Sequence, residues 1–287
     1  MANNIDLFKQ YIPLIDEVYA LESTTAIFDG AEQLARMAEN GHEFKIPKMT
    51  MDGLGEYGRN THGYPNGNVS LTYETKAPNF DRAVRFTVEA QDDMETAGIA
   101  FGKLAGEFMR TKVASEVDAF RYAKYSAAAG TKNNGAIATA EEAVKAISAI
   151  MAEMDDKQVP AMDRHLRIRA DIKMMIDHLD LDKSSAVMAR FASVQIVPSD
   201  RFYSAIKQNN GTTDNAFGYE KATGAKDIGF MILQRSALIQ YYKSIVSKVI
   251  SPQENQTSDG WMLFFHAYGI CDTFDNKLKG IGAHFLA

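Results

Sequence analysis

The sequence predicts an α+β fold on three observations. Period-two alternation flanks a glycine-rich stretch, a helical pattern runs from about Glu95 to Tyr125, and strand and helix patterns mix through the second half. The glycine-rich stretch carries five glycines between Gly53 and Gly67. Glycine at that density gives a flexible loop rather than an element interior.

The elements follow in chain order. Residues 1–40 read as a loosely helical arm, with Ile5, Phe8, Ile12 and Ile15 at helical spacing, Pro13 interrupting, and a second short helix from Ala31 to Ala38. Phe44 and Ile46 alternate with polar neighbours, as do Val69, Leu71 and Tyr73. These predict a two-stranded ribbon capped by the glycine-rich tip, each arm of about fifteen residues reaching roughly 50 Å if fully extended. An isolated ribbon is marginal in water, so its partner lies on another molecule, although an ordinary surface hairpin on a monomer explains the pattern equally well.

Val84, Phe86, Val88 and Ala90 predict a further strand, and Gln91-Asp92-Asp93 supplies helix-capping chemistry. Phe101, Leu104 and Phe108, then Met109, Val113, Val117 and Phe120, form the stripe of a helix about 45 Å long. Gly130 and Asn133-Asn134-Gly135 end it. Thr139 then caps a helix with Glu141 and Glu142 in its first turn. Short strands are expected at 166–170 and 194–198, with helices at 171–179 and 199–206. Residues 207–227 read as a polar loop, 229–250 as strand or helix, and 261–272 and 278–286 as β-rich around a turn at Asp275-Asn276.

Composition narrows the function. With 46% hydrophobic and 24% charged residues over 287 positions, the chain can bury a core without staples. The single cysteine, Cys271, excludes an internal disulfide and fits a reducing compartment. A net charge of −6 argues against a broad basic face for nucleic acid. Neither a signal peptide nor a run long enough to span a membrane is present.

Catalytic signals are weak. Gly53-x-Gly55-x-x-Gly58 matches a dinucleotide fingerprint, yet the following Arg59 to Asn68 run, with two more glycines and Pro65, cannot open the helix that chemistry needs. Six scattered histidines have no ligand spacing, so no metal or cofactor is expected. Cys271 sits among Trp261, Phe264, Phe265 and Tyr268, where a small buried hydrophobe is the simpler reading than a nucleophile paired with His266 or His284. Asp92-Asp93 and Asp155-Asp156 are sequence neighbours facing different ways, not acid/base pairs. No catalytic residue is assigned, and the chain is expected not to be an enzyme.

The order of elements resembles the major capsid protein of tailed bacteriophages, with its Hong Kong 97-like fold. The likeness also includes the ending Asn255-Gln256-Thr257-Ser258-Asp259-Gly260-Trp261, Tyr268 and Asp275-Asn276-Lys277-Leu278-Lys279-Gly280-Ile281, and Val197-Pro198-Ser199. On that resemblance, residues 1–43 are an N-terminal arm and 44–76 an extended loop (E-loop). Residues 77–132 and 245–287 are a peripheral domain with a spine helix at about 95–125, and 133–244 an axial domain. It implies hexamers and pentamers tiling an icosahedral shell around phage double-stranded DNA, inside a virion assembled in the host bacterial cytoplasm. Partners would be copies of the chain, a portal and decoration proteins, with DNA enclosed but not read by sequence and no membrane involved.

Because the chain opens on its arm, a separate scaffolding protein is expected rather than a cleaved leader. Lys45, Lys48 and Lys76 are ribbon lysines, but nothing selects one for a covalent cross-link, and none is expected. Lys48, Asp52, Glu56, Arg59 and Tyr64 are the candidate intersubunit contacts, the charged ones alternating in sign as mixed ion pairs. Two alternatives stand beside this: an encapsulin-like compartment enclosing a cargo enzyme, and a soluble nucleotide-dependent enzyme using Gly53 to Gly58.

Overall fold

In a computed structural model of the chain, residues 23–30, 44–59, 63–89, 108–179, 186–213 and 216–286 are described. The expected helices before residue 23 and at 31–38, and the helix start at 95–107, lie outside them.

Two strands, β1 (Phe44–Met51) and β2 (Val69–Lys76), pair antiparallel from Phe44↔Lys76 to Met51↔Val69. The ribbon is thus real, but each arm has eight residues, about 27 Å, not fifteen. Beyond Met51 the glycines and Pro65 leave the ladder, and only an isolated bridge between Gly58 and Gly63 crosses the tip. No helix begins in residues 52–59 or 63–68. That removes the strand-then-helix context of the dinucleotide reading.

Strand β3 (Phe80–Val88) starts earlier than expected, and its Phe80 and Phe86 meet the rings of Phe120 and Phe108. A π-helical turn, Met109–Val113, leads into α1 (Ala114–Ala128), so the expected helix continues three residues past Tyr125. Ala114, Val117, Ala119, Phe120, Tyr122, Ala123 and Tyr125 are all buried, which makes α1 a central helix rather than a surface one. Gly130 follows and donates to the carbonyls of Leu278 and Ile281 at 3.1 and 3.0 Å. A short strand, β4 (Thr131–Asn134), occupies what reads from sequence as a helix-ending turn.

Helix α2 (Ala140–Asp156) opens on a full capping box: Thr139 Oγ1 accepts from the Glu142 amide, and the Glu142 carboxylate accepts from the Thr139 amide. Strand β5 (Arg164–Arg169), helix α3 (Ala170–Asp177) and strand β6 (Ser193–Val197) form a parallel crossover near the expected boundaries.

The helix expected at 199–206 does not form. Only a 3₁₀ turn, Ser199–Arg201, follows Pro198. Phe202 then turns its ring onto Tyr122, 4.9 Å between centroids, and its carbonyl accepts from Ile228 while the Ser204 amide donates to Lys226. Tertiary pairing takes the backbone groups a helix would need. The polar stretch that follows is likewise not all loop, since β7 (Ile206–Gln208) pairs with β8 (Tyr219–Lys221).

The ambiguous 229–250 segment resolves into two strands, β9 (Ile228–Gln234) and β10 (Leu238–Ile250), split by a 3₁₀ turn. Strand β11 (Trp261–Thr273) precedes a six-residue 3₁₀ stretch (Asp275–Gly280) and then β12 (Ile281–Phe285), so Leu278–Gly280 is not strand.

Two larger sheets organise the core. One has the order β10-β11-β3; the other is mixed, β4-β12-β9-β5-β6. Helices α2 and α3 cover the second through Ile147, Ile150, Met151, Ile172 and Ile176, packed on Leu166, Ile168, Phe230 and Ile232. Between the sheets lies α1, its Val117, Phe120 and Tyr122 joined to Leu263, Phe265, Met231 and Ile281 in one apolar cluster.

Candidate assembly surface

Register decides what the ribbon presents. On one face, Pro47 lies opposite Tyr73, Met49 opposite Leu71, and Met51 opposite Val69. Met49, Met51, Val69, Leu71 and Tyr73 are each more than half exposed. The other face carries Lys48, Thr50, Ser70 and Thr72, with Ile46 and Glu74 at the root. Ile46 is buried against Ile239, Tyr241, Ile270 and Phe274. So the apolar phase switches at Pro47: the even-numbered Ile46 anchors the ribbon to its own body, and the odd-numbered positions beyond it face away.

Five large apolar side chains on one strand pair form a contiguous uncovered stripe, the kind of patch that marks an interaction site. Sequence reasoning missed Met49 and Met51 because the alternation it used stops at Phe44 and Ile46. Its signal is the parity change itself, read with the cross-strand register.

The residues chosen from sequence fall differently. Lys48 approaches Asp275 of its own chain at 4.0 Å, so it belongs to the ribbon root. Asp52 Oδ2 accepts from the Asn68 amide at 2.8 Å and closes the first turn of the tip. Glu56 and Arg59 are exposed on the tip. Tyr64 is 86% exposed and meets Tyr57 edge-on, ring centroids 5.0 Å apart. Leu54 beside them is fully exposed. The tip therefore offers an aromatic pair and a leucine as well as charges.

Two other places carry groups that could support chemistry. A groove of about 980 Å³ runs between β3, the helix start and the β7–β8 hairpin, lined by Phe80, Phe86, Phe108, Tyr203 and Tyr219. Its Arg82 is committed: Nε donates to Glu116 at 2.6 Å, and the other guanidinium nitrogens hold the carbonyls of Asn209 and Gly218. Cys271 is buried, and burial pushes its thiol up to about 12, an inert neutral group as the sequence suggested. Among the described residues, no three His, Cys, Asp or Glu side chains gather where a metal could bind, and no helix is long and apolar enough to cross a membrane.

A second built feature lies at residues 23–30. The wholly buried Asp118 on α1 accepts from Ser23 Oγ and Thr25 Oγ1 at 2.7 Å, Thr24 Oγ1 at 2.8 Å and the Thr24 amide at 2.9 Å. Gln240 donates to the Thr25 carbonyl and to Asp29, each at 2.8 Å, and Arg121 bonds Asp29 at 3.0 Å. Burial raises the Asp29 pKa, against the pull of the Arg121 charge. From β5, Arg167 donates to the Thr24 carbonyl and stacks over Phe28 at 4.8 Å. This clip joins α1, β10 and β5, and its contacts are with its own chain.

No protein-family model and no curated protein sequence matches the chain. Solved structures do. A chain of Mycobacterium phage Che8 aligns with TM-score 0.64 at 18% identity over 91% of this chain and 90% of that one. The asymmetric unit of the bacteriophage PhiM1 mature capsid aligns with TM-score 0.63 at 12% identity, covering 88% and 84%. This chain has the phage capsid fold. A virus-like particle from Pyrococcus furiosus shares it over 98% of this chain and all of its own, with TM-score 0.57 at 10% identity. The α+β, Hong Kong 97-like architecture expected from the sequence is the one found.

Proposed function

We propose that the chain is a structural major capsid protein that assembles with copies of itself, as hexamers and pentamers, into an icosahedral shell around phage double-stranded DNA. The observation that carries this is the uncovered apolar stripe of the ribbon, on a chain whose fold is shared with phage capsids. A soluble monomer has no use for five exposed apolar side chains on one strand pair. A neighbouring copy buries them, and closed symmetry ends the growth.

In this reading residues 44–76 are the E-loop, 77–132 with 245–287 the peripheral domain, and 133–244 the axial domain. The arm at 1–43 is held to its own subunit at 23–29 by the clip. Lys48 and Asp52 shape the ribbon, while Glu56, Arg59 and Tyr64 with Leu54 meet the neighbour. The protein works without catalysis, in the virion, after assembly in the host cytoplasm with a separate scaffold and a portal. Likeness to a virus-like particle over almost the whole chain favours, as the second reading, a shell that encloses a cargo enzyme instead of DNA.

Electron microscopy and sedimentation of the chain, expressed alone and with its neighbouring genes, test both. Rings, tubes or shells are expected, and their contents separate virus from compartment. Deleting residues 53–67 leaves a folded subunit without stable shells. Normal shells from the deletion, or a monomer under all conditions, refute the assignment.

A further inference from the structure

The ribbon root carries a charge cluster that the shell reading does not use. Lys76 Nζ on β2 lies 3.1 Å from Asp275 and 3.5 Å from Asp272, and Lys48 on β1 reaches Asp275 at 4.0 Å. Between them stands Glu74. Its Oε2 faces the Asp275 amide at 3.3 Å, and its Oε1 is buried with no hydrogen-bond partner. Two cations therefore face three carboxylates, Glu74, Asp272 and Asp275. The cluster is one negative charge in excess when all are ionised and neutral when one carboxylate holds a proton.

Other ionisable groups near it do not supply the missing charge. Lys277 on the same 3₁₀ turn is turned away onto the Ser236 carbonyl at 3.0 Å. Tyr241 on β10 packs with Ile46, and burial holds its phenol above the ordinary value, hence neutral.

We propose that this cluster is a proton-controlled hinge: with a proton on Glu74 the ribbon root is held against β11 and the turn after it, and loss of that proton loosens the root. Apart from the cluster, the root is anchored by a small apolar contact, Ile46 on Ile239, Tyr241, Ile270 and Phe274. Electrostatics can therefore decide the ribbon's position.

The directions agree. Burial, then the neighbouring Asp275 carboxyl, raises the Glu74 pKa, while the Lys76 hydrogen bond lowers that of Asp275. A carboxyl that docking raises favours the docked root below its ordinary pKa, and this is lost as pH rises through the raised value. Asp275 works oppositely, its support failing only as pH falls through its own lowered value. Docking is thus strongest between those two points and loosens above the upper one. The docked-to-released ratio falls about tenfold for each pH step by which docking raises Glu74.

Hydrogen–deuterium exchange on the unassembled full chain tests this, corrected for intrinsic rates, across pH 4 to 8 (roughly the span of a raised carboxyl). Because it concerns one subunit, its outcome is separate from whether shells form. The β1 and β2 root amides should lose protection as pH rises in the parent. In Glu74→Gln, which keeps the neutral form, protection stays high and flat. In Lys76→Met the root is loose throughout. Exchange in β9, unchanged in all three, certifies the fold. A flat parent profile, or a Glu74→Gln profile that still follows pH, overturns the hinge.

Discussion

Asp118→Ala removes a wholly buried carboxylate from the centre of the clip. The carboxylate has no solvent access and accepts four hydrogen bonds of 2.9 Å or less from residues 23–25. Three of the donors are hydroxyls that can re-aim; the Thr24 amide cannot, and Arg201, 3.4 Å away, loses its carboxylate. An orphaned buried donor costs about 1–3 kcal/mol, and breaking a buried ion pair about 3–5 kcal/mol. With relaxation and water entry, a loss of about 4 kcal/mol is expected. For a chain of this size that lowers the melting temperature by roughly 10 °C. Calorimetry on the unassembled subunit measures it, and Asp118→Asn, which keeps one acceptor, should lose about half as much. Exchange of the Thr24 and Thr25 amides should accelerate by more than that of β9, which follows only the global loss of stability. A melting shift within about 3 °C for the alanine variant would show that the clip does not hold the subunit together.

Two further outcomes check the packing. Gly130→Ala places a methyl 2.5 Å from the Leu278 carbonyl oxygen, a backbone atom that cannot move aside cheaply, and should cost about 1–3 kcal/mol in denaturant unfolding. Serine there should be no better, and a neutral result would mean the 275–280 turn shifts freely. Cys271 should resist thiol reagents in the native chain up to pH 9 or so and react only on unfolding; fast native labelling would place it at the surface instead.

What was legible in the sequence was local. Thr139 and Glu142 lie three residues apart, so their capping box needed no knowledge of the rest of the chain. The ribbon was visible because alternation on both sides of a glycine-rich tip is a short-range signal, although only eight residues of each arm pair. The clip was invisible: Ser23, Thr24 and Thr25 have no periodicity, and their acceptor is more than ninety residues away on α1. The 199–206 segment misled for the same reason. Its apolar spacing suits a helix, but the Phe202 ring and its neighbours' backbone bonds are claimed by Tyr122 and by residues 226–228. At the ribbon, Met49 and Met51 escape a reading that stops at Phe44 and Ile46, although the parity change at Pro47 is written in the sequence.

On the proposed shell reading, the size of the exposed apolar stripe also sets how strongly one copy can hold another. A large apolar side chain gains about 1.5–3 kcal/mol on full burial, and the five in the stripe are already about two-fifths covered. Each thus has roughly 1–2 kcal/mol left to gain, or about 5–9 kcal/mol per ribbon, which lies within the cost of joining two copies. Joining two proteins costs about 4–15 kcal/mol of lost freedom before side-chain ordering. One ribbon contact is therefore too weak to hold a pair for long. In a ring, each added subunit makes contacts on both sides, and the last one closes two interfaces for a single loss of freedom. A stripe of this size favours closed assemblies over dimers, which is the behaviour a shell subunit requires. By the same arithmetic, Met49→Lys with Leu71→Glu, an oppositely charged cross-strand pair, should abolish assembly at any accessible concentration while changing the monomer's melting little, because both side chains are more than half exposed. Shells that still form from that double variant would place the interface elsewhere.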